Sequence, residues 1–198
     1  MKTNSVFTRG FKSWCENVAI QQRRELKLSP VDPLDPYLLA KHLEINVWTA
    51  EEVPDFDPAC LKVLTEDDPD SWSAITICTG TNDLIIVNPT HNGGRRASDI
   101  MHEVAHIIIG HEPARMDVTE DGLLILNMYD KKQEEEAKWL SGCLLLPRDA
   151  LLLIRREKLS KEAAIGRFGV SAPMLTFRLN VTRLGPQFTA RGRTSSQH

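Results

Sequence analysis

The sequence lacks long apolar runs. No part of it approaches the roughly 18 consecutive apolar residues that a membrane-spanning helix needs. Its opening segment, MKTNSVFTRGFKSWCENVAI, also lacks the apolar block of a secretory signal peptide. We therefore expect a cytoplasmic protein with no membrane partner.

The sequence is also poor in cysteine. Its four cysteines lie far apart and include no Cys-x-x-Cys pair, which excludes a disulfide scaffold and a zinc knuckle. We expect them to be reduced thiols. The content of 41% apolar and 26% charged residues is close to that of an average globular domain, and a chain of 198 residues can bury one core.

The net charge of −3 becomes informative when it is divided along the chain. Residues 1–147 carry 14 Lys and Arg against 24 Asp and Glu, whereas residues 148–198 carry 10 against 3. An acidic body is therefore followed by a basic C-terminal quarter. We divide the chain at this point into a domain of residues 1–147 and a basic helical segment with a flexible tail.

Helical patterns open the chain. Apolar residues at spacings of three and four indicate an amphipathic helix over residues 6–27. A connector rich in proline follows, and Asp35 and Pro36 suit the N-cap and first position of a short second helix.

β-branched residues interrupted by turn formers predict a sheet region over residues 45–92. The runs at 73–78 and 83–87 are separated by a short polar turn, which predicts two adjacent strands. The paired glycines within residues 91–96 predict a turn or loop after the second strand.

Residues 98–110 predict a buried helix that carries three ionisable side chains. Ser98 suits its N-cap, and apolar residues cover nearly its whole circumference. His102, Glu103 and His106 lie in its middle, and their burial without compensation would cost several kcal/mol. Some partner must therefore satisfy these groups.

The spacing of the three groups indicates a metal ion as that partner. His102 and His106 lie four positions apart and project from one helix face, so both imidazoles can reach one ion. Glu103 lies beside them, where it can accept a proton from a water molecule. This HExxH pattern is typical of metalloproteases that bind Zn²⁺. The alternative is a core helix whose histidines form hydrogen bonds with the backbone.

A catalytic zinc ion usually has three protein ligands, so a third must come from another segment. Residues 131–146 predict a helix with Glu134, Glu135 and Glu136 near its start. Glu134 is in step with small residues that permit close approach of the helix, whereas we expect the other two in solvent or in surface pairs. The alternative is that all three form one charged, solvated face.

Three stretches of the sequence, RRASDIMHEVAHIIIGH, EEEAKWLSGCLLLP and AAIGRFGVSAPMLTFRLN, together resemble one known family. They are similar to the ImmA/IrrE metallopeptidases, zinc proteins of bacteria and their phages. The first stretch resembles the family's HExxH helix. The second resembles the helix whose first glutamate is the third zinc ligand, a position that Glu134 occupies here. The third resembles the helix-turn-helix-like segment that commonly follows.

The resemblance implies both a fold and an activity. The fold is α+β, with a small mixed or antiparallel sheet packed on the buried zinc-binding helix and a C-terminal helix-turn-helix-like segment. The activity is that of a zinc endopeptidase with the metal ligands His102, His106 and Glu134 and the catalytic base Glu103. The implied substrate is a partner protein, a helix-turn-helix transcriptional repressor that is cleaved in a bacterial or phage response to DNA damage or another stress.

Such a site needs further groups that stabilise the oxyanion or support a metal ligand. Tyr129, His111 and Arg95 are the candidates, and the sequence does not rank them.

The basic segment contains a predicted helix, turn and helix over residues 159–181. Gly169 marks the break, and Ser171 suits the N-cap of the second helix. Two roles are open: packing against the body, or contact with an acidic partner or with DNA, including single-stranded DNA. The alternative function for the whole chain is a DNA-binding transcriptional regulator with a structural zinc site. The intact Glu103 argues against it, because a structural site needs no general base.

Overall fold

The computed structural model describes residues 7–78, 83–111, 116–118, 124–126 and 130–184. Within these residues the chain forms eight α-helices and five β-strands. The helices are α1 (Phe11–Glu25), α2 (Pro36–His42), α3 (Pro58–Lys62), α4 (Gly93–Ile109), α5 (Lys131–Leu145), α6 (Arg148–Arg156), α7 (Lys161–Phe168) and α8 (Ala172–Val181). The strands are β1 (Asn46–Thr49), β2 (Ala74–Cys78), β3 (Asp83–Val87), β4 (Met116–Val118) and β5 (Leu124–Leu126). No helix in the described ranges is both long and apolar enough to cross a membrane.

A three-stranded mixed sheet lies beside α4. Its order is β1-β3-β2, with β1 parallel and β2 antiparallel to the central β3. Ile85 and Val87 of β3 are fully buried, and both β2 and β3 contact α4. The predicted α+β fold, with a small sheet on the HExxH helix, is confirmed. Strands β4 and β5, which the sequence patterns did not predict, form a separate antiparallel pair.

The start of α4 differs from the sequence prediction. Asn92 is the N-cap, and its side chain accepts a hydrogen bond from the backbone N–H of Arg95. Ser98 is therefore not the N-cap; its hydroxyl instead donates to the carbonyl of Gly94 inside the helix. The predicted loop at residues 91–96 is wrong for the same reason, because the paired glycines belong to the first helical turn.

The hydrophobic core forms where α4 packs against α5 and α5 against α1. Leu140, Cys143 and Leu144 of α5 are fully buried, as are Met101 and Val104 of α4. The close packing of these two helices brings the first turns of α5 near the HExxH segment.

The described part of the basic quarter, residues 148–184, shares this core. Apolar residues of α6, α7 and α8 belong to the same hydrophobic cluster as α4 and α5. Arg178 of α8 is fully buried, where Nε donates to the carbonyl of Leu146 at 2.9 Å and Nη2 to Oε1 of Glu16 at 2.6 Å. The change of charge at Pro147 is thus not a break in the core.

The α7–turn–α8 unit has the predicted local features. Gly169 lies in the left-handed region at φ 62°, and the side chain of Ser171 accepts from the backbone N–H of Met174. The start of α8 lies against the start of α4, where the Ser98 and Ser171 hydroxyl oxygens are 3.2 Å apart. A Cβ at Gly94 would lie 2.9 Å from the carbonyl oxygen of Val170.

This contact predicts different effects of alanine at two neighbouring glycines. Gly93→Ala adds a methyl group with nothing within 4 Å, whereas Gly94→Ala forces the α4–α8 contact apart. We expect Gly94→Ala to be less stable than Gly93→Ala by about 1–3 kcal/mol, the usual cost of overpacking. Urea unfolding would measure the difference in midpoint at an unchanged slope. Equal midpoints would show that the contact adapts without strain.

Candidate metal centre

Two histidines of α4 bring ring nitrogens together. His102 and His106 lie one turn apart on the same helix face, and their Nε2 atoms are 3.1 Å apart. His106 is 1% exposed, whereas the side chain of His102 is 28% exposed. The inner ring is thus held within the protein, and the outer ring borders solvent.

Glu134 of α5 reaches the same point. Its Oε2 lies 3.1 Å from Nε2 of His102, and its Oε1 lies 3.6 Å from Nε2 of His106. A capping box fixes the preceding turn, since the Asp130 side chain accepts from the backbone N–H of Gln133 and the Gln133 side chain accepts from that of Asp130. The cap fixes where α5 begins, and the packing of α5 on α4 brings Glu134 to the two histidines.

The three side chains fit a divalent metal ion. One ligand atom from each of His102, His106 and Glu134 lies within 4.8 Å of the others. Ligand atoms around a tetrahedral zinc ion, with bonds of about 2.0–2.2 Å, lie about 3.3–3.6 Å apart, close to the distances here. Two imidazole nitrogens and one carboxylate are also the donors that a catalytic zinc site uses.

The protonation states favour metal binding. Burial lowers the pKa of His106 to about 3, so its ring is neutral and keeps a lone pair. The hydrogen bond from His102 lowers the pKa of Glu134, which keeps that carboxylate ionised.

Glu103 lies beside the three converging side chains and is more buried than Glu134. It is buried, and burial raises the pKa of its carboxyl group, an effect opposed by a hydrogen bond from Thr76. The Thr76 hydroxyl, on β2, donates to Oε2 of Glu103 at 2.6 Å. A carboxylate with a raised pKa is a stronger base than an ordinary one, and a fixed orientation favours directed proton transfer.

A second group of side chains lies behind His106. Nδ1 of His111 is 2.9 Å from Nδ1 of His106, and Nε2 of His111 is 3.3 Å from Oε2 of Glu136. The sequence predicted Glu136 in solvent or in a surface pair; it is buried, and it pairs at its outer side with the exposed Lys132 at 3.7 Å.

The family model described as the IrrE N-terminal-like domain, Peptidase M78, matches residues 62–180. This range includes α4, α5 and every residue of the centre described above. The chain belongs to this family.

The IrrE N-terminal-like assignment confirms the resemblance drawn from the sequence and identifies a family that is named for peptidases and is metal-dependent. No curated protein sequence matches the chain. Among solved structures, a Mycobacterium tuberculosis transcriptional regulator is similar at 15% identity with a TM-score of 0.49. That similarity covers 88% of this chain and 48% of the regulator, so the chain spans about half the length of that protein.

The structure gathers only some of the proposed supporting groups of this IrrE N-terminal-like domain. His111 contacts Nδ1 of His106. The other ring nitrogen of His106, Nε2, is the one that lies beside His102 and Glu134. Arg95 lies two helical turns before His102 and pairs with Asp70 at 3.0 Å, so it is not brought to the centre. Tyr129 lies outside the described residues.

Two residues of the centre escaped the sequence reasoning. Glu136 is in helical step with Leu140 and Cys143, both fully buried, and this periodicity was a usable signal for its burial. Thr76 had no such signal. Its role depends on β2 lying beside α4, and nothing in the strand pattern indicates that contact.

Proposed function

We propose that the protein is a zinc-dependent endopeptidase that cleaves a partner protein, a helix-turn-helix transcriptional repressor in a bacterial or phage stress response. The observation that carries the proposal is the convergence of His102, His106 and Glu134 beside the buried carboxyl group of Glu103. Membership of a family named for peptidases supports the reaction class. The repressor as substrate rests on the family resemblance alone.

The metal ligands in this proposal are His102, His106 and Glu134. A bound zinc ion would supply Lewis acidity, which polarises a carbonyl group and makes water acidic enough to lose a proton near neutral pH. The protein supplies three ligands, which matches the usual catalytic arrangement with one position left for water or substrate. The outer two ligands, His102 and Glu134, have side chains 28% and 46% exposed, so a polypeptide can approach from solvent.

Glu103 is the general base in this mechanism. Because Thr76 donates to Oε2, we assign proton uptake from water to Oε1. Glu103 then passes the proton to the leaving amine, which cannot depart as an anion at neutral pH.

The position of β2 suits a peptide substrate. This strand is at the edge of the described three-stranded sheet, and it carries the Thr76 that contacts Glu103. An extended peptide can add to such an edge through backbone hydrogen bonds, which would hold its scissile bond near the base.

The alternative, a DNA-binding regulator with a structural zinc site, has less support. Structural zinc sites are closed by four protein ligands, whereas the described residues provide three, two of them open to solvent. A helix-turn-helix also reads DNA through the start of its second helix. Here the start of α8 lies against α4 at Gly94 and Ser98.

The third ligand provides a direct test within one glutamate run. We expect Glu134→Gln to weaken zinc affinity by at least about 10-fold, because a neutral amide oxygen replaces a charged ligand. Glu135→Gln removes the same charge one position along and should leave the affinity nearly unchanged. Competition with a chromophoric chelator measures both. A larger effect at Glu135 would mean that the helix register of the site is misassigned.

The substrate can be sought by incubating the zinc-loaded protein with the product of the adjacent gene, with and without single-stranded DNA. Mass spectrometry should find two fragments from one cleaved bond, and a chelator should prevent their formation. An intact partner under both conditions would count against the repressor as substrate.

A further inference from the structure

Behind His106, on the side away from the converging ligand atoms, His111 and Glu136 form a series of buried hydrogen bonds. Nδ1 of His106 contacts Nδ1 of His111 at 2.9 Å, and the other nitrogen of His111 contacts Glu136 Oε2 at 3.3 Å. The side chains of His111 and Glu136 are 6% and 11% exposed. Water therefore competes little for these hydrogen bonds.

The backbone holds His111 in this position. Gly110 ends α4 in the left-handed region at φ 78°, which turns the chain back on the helix. The backbone N–H groups of Gly110 and His111 both donate to the carbonyl of His106 at 3.1 Å. These hydrogen bonds to the His106 carbonyl hold the backbone of His111 so that its ring lies against the ring of His106.

Metal binding at Nε2 of His106 allows one arrangement of protons along the hydrogen bonds that join His106, His111 and Glu136. A neutral His106 that gives the Nε2 lone pair to a metal carries its proton on Nδ1. Nδ1 of His111 must then accept that proton's hydrogen bond, so His111 carries its own proton on Nε2. Nε2 of His111 then donates to Glu136, whose carboxylate has acceptor oxygens and no donor. The three residues therefore agree on one direction of donation.

We propose that His111 and Glu136 are positioning residues that hold His106 in its metal-binding tautomer. The inference rests on the proposed metal centre and deepens it. Glu136 accepts from His111, His111 accepts from His106, and His106 presents its Nε2 lone pair to the ion. Groups that orient a metal ligand in this way typically contribute 10–100-fold to metal affinity. Lys132, one turn before Glu136, lies 3.7 Å from Oε1 and provides a countercharge at the surface.

Variants at Glu136 test the role of its acceptor oxygen. Glu136→Met keeps the side-chain length but removes the acceptor, and we expect zinc affinity to fall about 10–100-fold. Glu136→Gln retains an acceptor oxygen and should restore part of that loss. Glu135→Met is the matched control outside the chain of hydrogen bonds. Equal zinc affinities for the wild-type and Glu136→Met proteins would overturn the proposal.

A spectroscopic measurement on the wild-type protein is independent of folding defects in variants. Two-bond ¹⁵N–¹H spectra of the ¹⁵N-histidine-labelled, zinc-loaded protein report which ring nitrogen carries the proton. We expect protonated Nδ1 in His106 and protonated Nε2 in His111. A proton on Nδ1 of His111 would overturn the proposal even if every variant bound zinc weakly.

These measurements separate the two proposals. Correct tautomers and weakened zinc binding in Glu136→Met, without any peptide cleavage, would support the positioning role and reject the peptidase. Cleavage that depends on Glu103, with unchanged zinc affinity in Glu136→Met, would do the reverse. A wild-type protein that binds no zinc would reject both.

Discussion

A Glu103→Gln protein should keep its zinc and lose peptidase turnover by about 10²–10⁴-fold, the usual contribution of a general acid–base group. The amide has nearly the volume of the carboxylate, and its carbonyl oxygen can still accept from the Thr76 hydroxyl. The fold and the metal ligands should therefore be retained. What the amide cannot do is take a proton from water.

Paired measurements of metal content and cleavage rate check this expectation. Glu135→Gln is the control, because it removes one carboxylate from the ligand helix without touching Glu103. Undiminished cleavage by Glu103→Gln would reject the mechanism. The same variant separates the two function classes, since a structural zinc site would not be affected by the loss of a base.

His106→Ala should lose both zinc and activity. His106 is the inner ligand, 1% exposed, and it joins the converging ligand atoms to His111 behind it. Its removal deletes one of three protein ligands and leaves His111 without this contact. We expect zinc affinity to fall by more than about 100-fold, beyond the typical effect of a group that only supports a ligand.

Elemental analysis after dialysis, together with the cleavage assay, measures this loss. His42→Ala is a suitable control, because His42 is a partly exposed histidine that pairs with Glu25 on the surface. Stoichiometric zinc in His106→Ala would show that the ion binds elsewhere.

In the metal-free protein, the burial of His106 should make the free energy of unfolding depend on pH. The pKa of His106 is about 3 in the folded state against 6.5 as the ordinary value. The unfolded chain therefore takes up a proton that the folded protein excludes, and the free energy of unfolding should fall as the pH decreases from about 6.5 towards 3. His106→Ala should lose this part of the pH dependence, which urea unfolding at several pH values would measure.

Local signals account for much of the fold around the centre. The Asp35 side chain caps α2 by accepting from the backbone N–H of Tyr37, and Ser171 caps α8 in the same manner. Both caps depend on atoms within a few residues, so their sequence patterns are sufficient. The start of α4 is different. Asn92 and Ser98 are both good N-cap residues, and the longer helix brings Gly94 against the turn before α8.

The sequence by itself determined the chemistry that one helix can offer. The period of α4 places His102 and His106 on one face with Glu103 beside them, whatever the rest of the chain does. Tertiary structure decided what meets that face. Packing of α5 on α4 brings Glu134 to the imidazoles and buries Glu136 behind His111, and the sheet brings Thr76 to Glu103. These contacts join segments far apart in the chain, so they depend on how helices and strands pack and not on local periodicity.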